Sequence, residues 1–304
     1  MTTLIASSVV RGSRQGESHG GVYLLDFENE KAAMPIDWNR GDIDWQGRGW
    51  DRGLRGIAFD GEVIYIAASD ELFAYDPDFR LLNTFRCPFL RHCHEIHVHQ
   101  RRLYLTSTGY DSILAFDLDK MVFSWGMHLA AFGKGYKGSP FNPASDRGPA
   151  AANHLHINSV FSNDKGLFVS GLNLNALLVY NGRKIQRWVD LPTGTHNARP
   201  HRDGVLFNDT RSDRVSFIGR EHRCSFSVPH YPQDSLTHVD ADDSRVARQA
   251  FGRGLCTVSD SLVAAGSSPS TISLHNLDAR KTVRSVTLSH DVRNAIHGLE
   301  VWPY

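Results

Sequence analysis

Residues 94–108 read HEIHVHQRRLYLTST: a histidine, a short alternating strand, a polar turn, and a second strand ending on hydroxyl residues. The phrase recurs as RGIAFDGEVIYIAAS from Arg55, HINSVFSNDKGLFVSG from His156, HNARPHRDGVLFNDT from His196 and RGLCTVSDSLVAAGS from Arg253. In four of the five units the leading His or Arg stands ten residues before the same point of the second strand: Arg55 to Tyr65, His94 to Tyr104, His196 to Leu206, Arg253 to Val263. The His156 unit has two extra residues in its turn, around Asn163 to Gly166. Each unit continues into a third run (DELFAYDPD from Asp70, DSILAFDLD from Asp111) and a fourth (LLNTFRCP from Leu81, MVFSWGM from Met121). Alternating β-branched and aromatic residues broken by Asp-Gly or Asn-Gly turns read as strands, and four strands in about 40 residues make a propeller blade.

The chain ends complete the count. HGLEVWPY from His297 is a sixth first strand with nothing after it to pair with. Its partners stand at the other end: TLIASSVVRG from Thr3, GGVYLLDFE from Gly20 and AAMPIDWN from Ala32. Closing the last blade with strands from both termini removes the open sheet edges that would otherwise invite aggregation. The expected fold is all-β, a six-bladed β-propeller forming a single domain over residues 1–304. Three longer excursions interrupt the pattern, at 39–52, 128–153 and 231–251, and loops of that length in a compact domain often carry function.

Composition narrows the partners. The 304 residues are 41% hydrophobic, enough for a sizeable core, and carry 33 basic against 33 acidic residues. Zero formal charge gives no global reason to expect nucleic acid or an anionic membrane. No apolar run is long enough to span a bilayer, and the start MTTLIASSVVRG lacks the layout of a secretory signal. Four cysteines with no CxxC spacing read as reduced thiols, so the expected compartment is the cytoplasm. Oligomeric state is not legible. Sixteen histidines are the compositional oddity.

The repeat explains where several of them go. The first strand of a blade lines the central channel, so the six leading residues occupy equivalent positions around one mouth: His297, Arg55, His94, His156, His196 and Arg253 in ring order. Neutral imidazole is a common ligand of transition metals. His94, His156 and His196 come from consecutive blades, which makes them the expected core of a metal site, with His297 as a fourth ligand. Iron(II) is the leading metal, with copper, zinc or manganese as alternatives. Two guanidiniums beside a cation are unfavourable unless an anion lies between, so Arg55 and Arg253 point to a small anionic substrate. Arg199, His97 and Glu300 lie three residues further along their strands. Arg199 joins the substrate-binding set, whereas Glu300 and His97 are the candidate catalytic groups, orienting an imidazole or acting as a base. His92, His99, His154 and His201 flank the anchors, and whether His154 or His156 enters the site is open. HCHEIHVH is not the helical HExxH zinc motif.

The series HEI at His94, HINS at His156, HNAR at His196 and GRGL around Arg253 resembles a family of uncharacterised bacterial proteins expected to be six-bladed propellers. At the superfamily level the chain is similar to the NHL, SMP-30 and strictosidine-synthase-like group, which includes metal lactonases, a Pictet-Spengler enzyme and pure interaction modules. The carboxylate and asparagine calcium set of the lactonases is not matched, because the anchors here are His and Arg. The placing of several histidines about a propeller axis is similar in arrangement to the iron site of carotenoid cleavage oxygenases. Together these imply a mononuclear metal-dependent oxidoreductase, most simply an oxygenase, acting on a small anion. A metal-assisted lyase and a non-catalytic binding propeller are the alternatives.

Overall fold

The computed structural model describes residues 3–39, 53–241 and 247–304. Six antiparallel sheets stand in a ring. Five follow the repeat in chain order, with inner strands Ile57–Asp60, Ile96–His99, Ile157–Asn163, Thr195–His201 and Arg253–Thr257. The sixth pairs the inner strand Asn294–Val301 with Thr3–Val10, then Gly21–Asp26 and Lys31–Asp37. Inner strands touch their neighbours all the way round, including Asn294–Val301 against both Arg253–Thr257 and Ile57–Asp60, so the ring is closed.

Burial explains the strand types. Second and third strands such as Val63–Ala67 and Glu71–Tyr75 are buried almost throughout, because neighbouring blades cover both faces. Fourth strands such as Leu81–Arg86 and Lys31–Asp37 are mostly exposed. Phe73, Phe116, Phe168 and Phe207, each nearly inaccessible, fill the spaces between blades. Each such ring contributes about 1.5–3 kcal/mol by leaving water.

The register shows how the ends meet. Leu4 pairs with Val301 and Val10 with Asn294. The ladder stops at Val301, and the last three residues form a clasp on the first blade instead of more strand. Trp302 stacks on Phe79 with ring centroids 5.4 Å apart, Phe59 packs edge-on to Trp302 and Tyr304, and the Tyr304 hydroxyl donates to the Gly61 carbonyl.

One excursion differs from expectation. Residues from His128 onward do not leave the sheet: Val122–Phe132 runs on and folds back as Gly135–Phe141, giving the second blade a fifth strand. Phe132 pairs with Gly135 across a two-residue turn, and Gly133 supplies the positive φ that such a hairpin needs. The glycines that read as loop are turn chemistry. The excursion at 39–52 lies almost wholly outside the described residues, as do residues 242–246 of the third.

Candidate functional site

Four of the anchors, Arg55, His196, Arg253 and His297, are at most 5% accessible, and His94 is 8% accessible. His94 lies at ring-centroid distances of 5.3 Å from His156 and 6.3 Å from His297. Arg55 reaches across to the second blade, where Nη1 donates to the Cys93 carbonyl at 3.0 Å and sits 3.5 Å from His94 Nδ1. Arg253 packs its guanidinium on the Phe251 ring at 4.5 Å, and the same ring lies 6.0 Å from that of His196. Burial first, then the charges of Arg55 and Arg253 and the neighbouring His156 and His297, holds the His94 pKa well below the ordinary imidazole range. Burial, Arg253 and His156 do the same to His196. Both rings are neutral at pH 7. The anchors therefore form one electrostatic unit drawn from six blades.

Hydroxyls closing the repeat phrase meet the inward nitrogens of two of these histidines. Thr108 and Thr210 each stand 14 residues after their histidine. Thr108 Oγ1 donates its one hydrogen to the Ile157 carbonyl and lies 2.9 Å from His94 Nδ1, which also lies 2.7 Å from the His92 carbonyl. Thr210 Oγ1 donates to the Gly252 carbonyl at 3.0 Å and lies 2.9 Å from His196 Nδ1, which also faces the Gly194 carbonyl at 3.2 Å. At His196, with the hydroxyl hydrogen committed and the carbonyl able only to accept, Nδ1 must carry the proton, whereas His94 Nδ1 also faces a donor, Arg55 Nη1. His196 Nε2 then presents a bare lone pair. It is buried and has no hydrogen-bond partner among the described residues.

Below this tier the channel is closed by a charged one. Glu95, beside His94, accepts from Ser159 Oγ at 2.9 Å, the Val160 amide at 3.2 Å, Asn197 Nδ2 at 3.3 Å and Arg199 Nη2 at 3.1 Å. Arg199 Nη1 lies 3.5 Å from Glu300 Oε1. Burial alone would lower the Arg199 pKa, but the carboxylates of Glu300 and Glu95 raise it. Glu300 has its pKa pushed up to about 7, because burial outweighs the attraction of Arg199 and Glu95 adds repulsion. About 10 Å³ of space remains between these groups, room for one water.

The expected residues thus divide between two places. His94, His156, His196, His297, Arg55 and Arg253 surround the mouth. Glu300 and Arg199 lie in the lower tier, where Arg199 is held by two carboxylates and is not placed to receive an anion at the mouth. His97 is wedged between blades: its ring packs on Phe161 at 4.3 Å and Nδ1 accepts from the Ser162 amide at 3.2 Å. Burial, with Arg199 and His99 adding, drives its pKa down to about 3, so it is a neutral packing group. The choice between His154 and His156 falls to His156, since His154 is exposed. The carboxylate of Asp111 holds that turn by accepting from the amides of His154, Leu155 and His156 at 2.6, 3.1 and 2.9 Å.

Several functional groups had no assignment from sequence: Glu95, Asp111, Thr108, Thr210 and Phe251 with its satellite cations Arg11 and Arg248, at 4.8 and 5.3 Å. The threonines were legible as the constant hydroxyl at the end of the phrase. Glu95 stood in plain view between two histidines. Phe251 and Arg11 come together only through ring closure.

The metal expectation meets a geometric test. Imidazoles sharing an ion at about 2 Å have ring centroids roughly 5–6 Å apart. His94 and His156 meet that, but among the described residues no three His, Cys, Asp or Glu side chains converge as a ligand set. Among the described residues the four histidines, His94, His156, His196 and His297, are thus not gathered as three or more about one point, and Arg55 and Arg253 add positive charge beside His94.

No protein-family model and no curated protein matches the chain. Among solved structures it is similar to a protein of unknown function from Bacteroides caccae, at 10% identity over 100% of both chains with a TM-score of 0.59. It is also similar to a chain of a nidogen–laminin complex, at 11% identity over 99% of this chain and 98% of that one, with a TM-score of 0.58. A catalytically inactive virginiamycin B lyase from Staphylococcus aureus aligns at 10% identity over 81% and 73% of the two chains, with a TM-score of 0.49, too weak a likeness to carry an argument. The likeness at such identities is one of fold: the chain is a six-bladed β-propeller.

Proposed function

We propose that this propeller binds a small organic anion at its mouth, within the NHL, SMP-30 and strictosidine-synthase-like superfamily. One observation carries the reading. Two guanidiniums and the neutral imidazoles of His94 and His196 are buried members of a single ring of six equivalent positions, none of them acidic. Desolvated arginine favours carboxylate or phosphate, because the planar fork matches two oxygens. A metal-dependent oxygenase is not part of this proposal, because no three-residue ligand set among the described residues supports an ion. No described helix is long and apolar enough to cross a membrane, and four free cysteines support a reducing, cytoplasmic setting.

A second reading, a lyase acting on the same anion, is favoured by the bare Nε2 of His196 in the same ring as the arginines. A bound anion offsets the charges that depress the histidines, so it raises their basicity where a proton α to a carboxylate would be taken. The first test is thermal unfolding with millimolar succinate or phosphate, and with choline as a cationic control. Succinate or phosphate should raise Tm by a few degrees in the native chain and not in Arg253→Gln. If neither anion moves the transition, the anion reading fails.

A further inference from the structure

The hydrogen-bond network around Thr210 specifies more than charge. Resting on the anion reading above, we infer that the mouth selects an anion that also carries a hydroxyl donor, a hydroxycarboxylate, which gives an O–H hydrogen to Nε2 of His196. His196 has its Nδ1 proton pinned inward by Thr210, whose own hydrogen is committed to the next blade at Gly252. The ring cannot turn that donor outward without breaking two hydrogen bonds. What it offers on its other side is acceptor only, and among the described residues that acceptor is buried without a partner. A buried acceptor left unmet is costly, so a ligand that satisfies it binds better than one of the same charge that does not. Arginine supplies only donors and imidazole Nε2 only an acceptor, so the ligand must present the reverse pair: oxyanion and hydroxyl on one small frame.

Succinate, malate and tartrate isolate the hydroxyl, since they share a four-carbon dicarboxylate and carry zero, one and two of them. Isothermal titration of the full chain, with EDTA present so that no adventitious metal contributes, should place malate and tartrate above succinate. About a 10-fold or larger gap is expected between the hydroxy acids and succinate, the scale of one buried acceptor satisfied or not. In His196→Phe, which keeps a ring and removes the acceptor, the ranking should flatten while succinate affinity holds. His196→Met provides the same readout if the first variant does not fold. Equal affinities for the three acids in the native chain would overturn the inference and leave the anion reading standing. A preference that survives intact in both variants would overturn it as well. Absence of binding by all three would instead count against the anion reading itself.

Discussion

Two tiers of one channel, a few residues apart along the same strands, solve the same problem in opposite ways. In the lower tier Arg199 sits between Glu95 and Glu300, and Glu95 also accepts from Ser159, Val160 and Asn197, so charge and hydrogen-bond demand are met inside the protein. In the upper tier six residues from the same six blades include two arginines, four histidines and no acid. Symmetry brings side chains together in both, but the lower set mixes opposite charges whereas the six upper positions carry one sign. The lower tier is thus an internally paired plug.

The comparison breaks most visibly in the lower tier. Replacing Arg199 with methionine leaves two buried carboxylates facing each other without their cation. The expected loss is about 3–5 kcal/mol at pH 7.5, read by urea denaturation. The triple change R199M/E95Q/E300Q should recover a large part of that loss, because an uncharged trio has no desolvated charge to strand. If R199M alone costs less than about 1 kcal/mol, the plug is not an electrostatic unit.

Acid acts next, and it acts on the neutral histidines. Buried His94 and His196 have depressed pKa values, and His97 and His275 are held near about 3 and about 4. For such a group the unfolded chain binds the proton first, near pH 6.5, so its contribution is intact above that and is lost as pH falls toward the folded value. Several kcal/mol of stability should disappear between pH 6.5 and 4, measured as a falling denaturation midpoint. A midpoint that stays flat over this window would mean the rings are charged or solvated in the folded state.

How much of this was readable beforehand follows from what repeats. The blade count, the closure by Thr3–Val10 against Asn294–Val301, and the six anchors all lie in a phrase of fixed spacing, and fixed spacing becomes fixed geometry in a propeller. The charge pairing was legible only in part. Arg199 and Glu300 stand at one offset, three residues past their anchors, but Glu95 stands one residue past His94, and only the register and the pleat decide that the three meet. The hairpin at Gly133 was missed because glycine and lysine read as loop, although a two-residue turn needs that composition. Equivalent positions guarantee a ring, but how closely His94, His156, His196 and His297 approach one another was not in the pattern, and among the described residues no three such side chains gather as a ligand set.

A smaller effect sharpens the role given to threonine. Thr210→Val keeps shape but removes the bond to the Gly252 carbonyl and the acceptor for His196 Nδ1. A loss of about 1–2 kcal/mol is expected from these two buried hydrogen bonds, with the fold retained by circular dichroism. A neutral outcome would place the tautomer of His196 under the control of Gly194 alone.

The smallest expected effect concerns Glu300, and it runs toward stabilisation. Its folded pKa of about 7 lies above the ordinary carboxylate value, so the folded protein holds a proton that the unfolded chain has released. The stabilising contribution of that proton is complete below the unfolded value near 4.5 and is lost as pH rises through 7. Glu300→Gln imitates the protonated form at every pH. The variant should match the native chain near pH 4.5 and exceed its stability by up to about 1–2 kcal/mol at pH 8, a figure discounted because the side chain is 29% accessible. Arg199 keeps Glu95 in the variant, so no buried cation is stranded. Parallel urea titrations of the two proteins at pH 5, 6.5 and 8 give the difference directly. Curves that diverge in the opposite sense, with the glutamine variant weaker at pH 8, would show that Arg199 requires both carboxylates, and the lower tier would then be a closed triad, not an ion pair with a protonated neighbour.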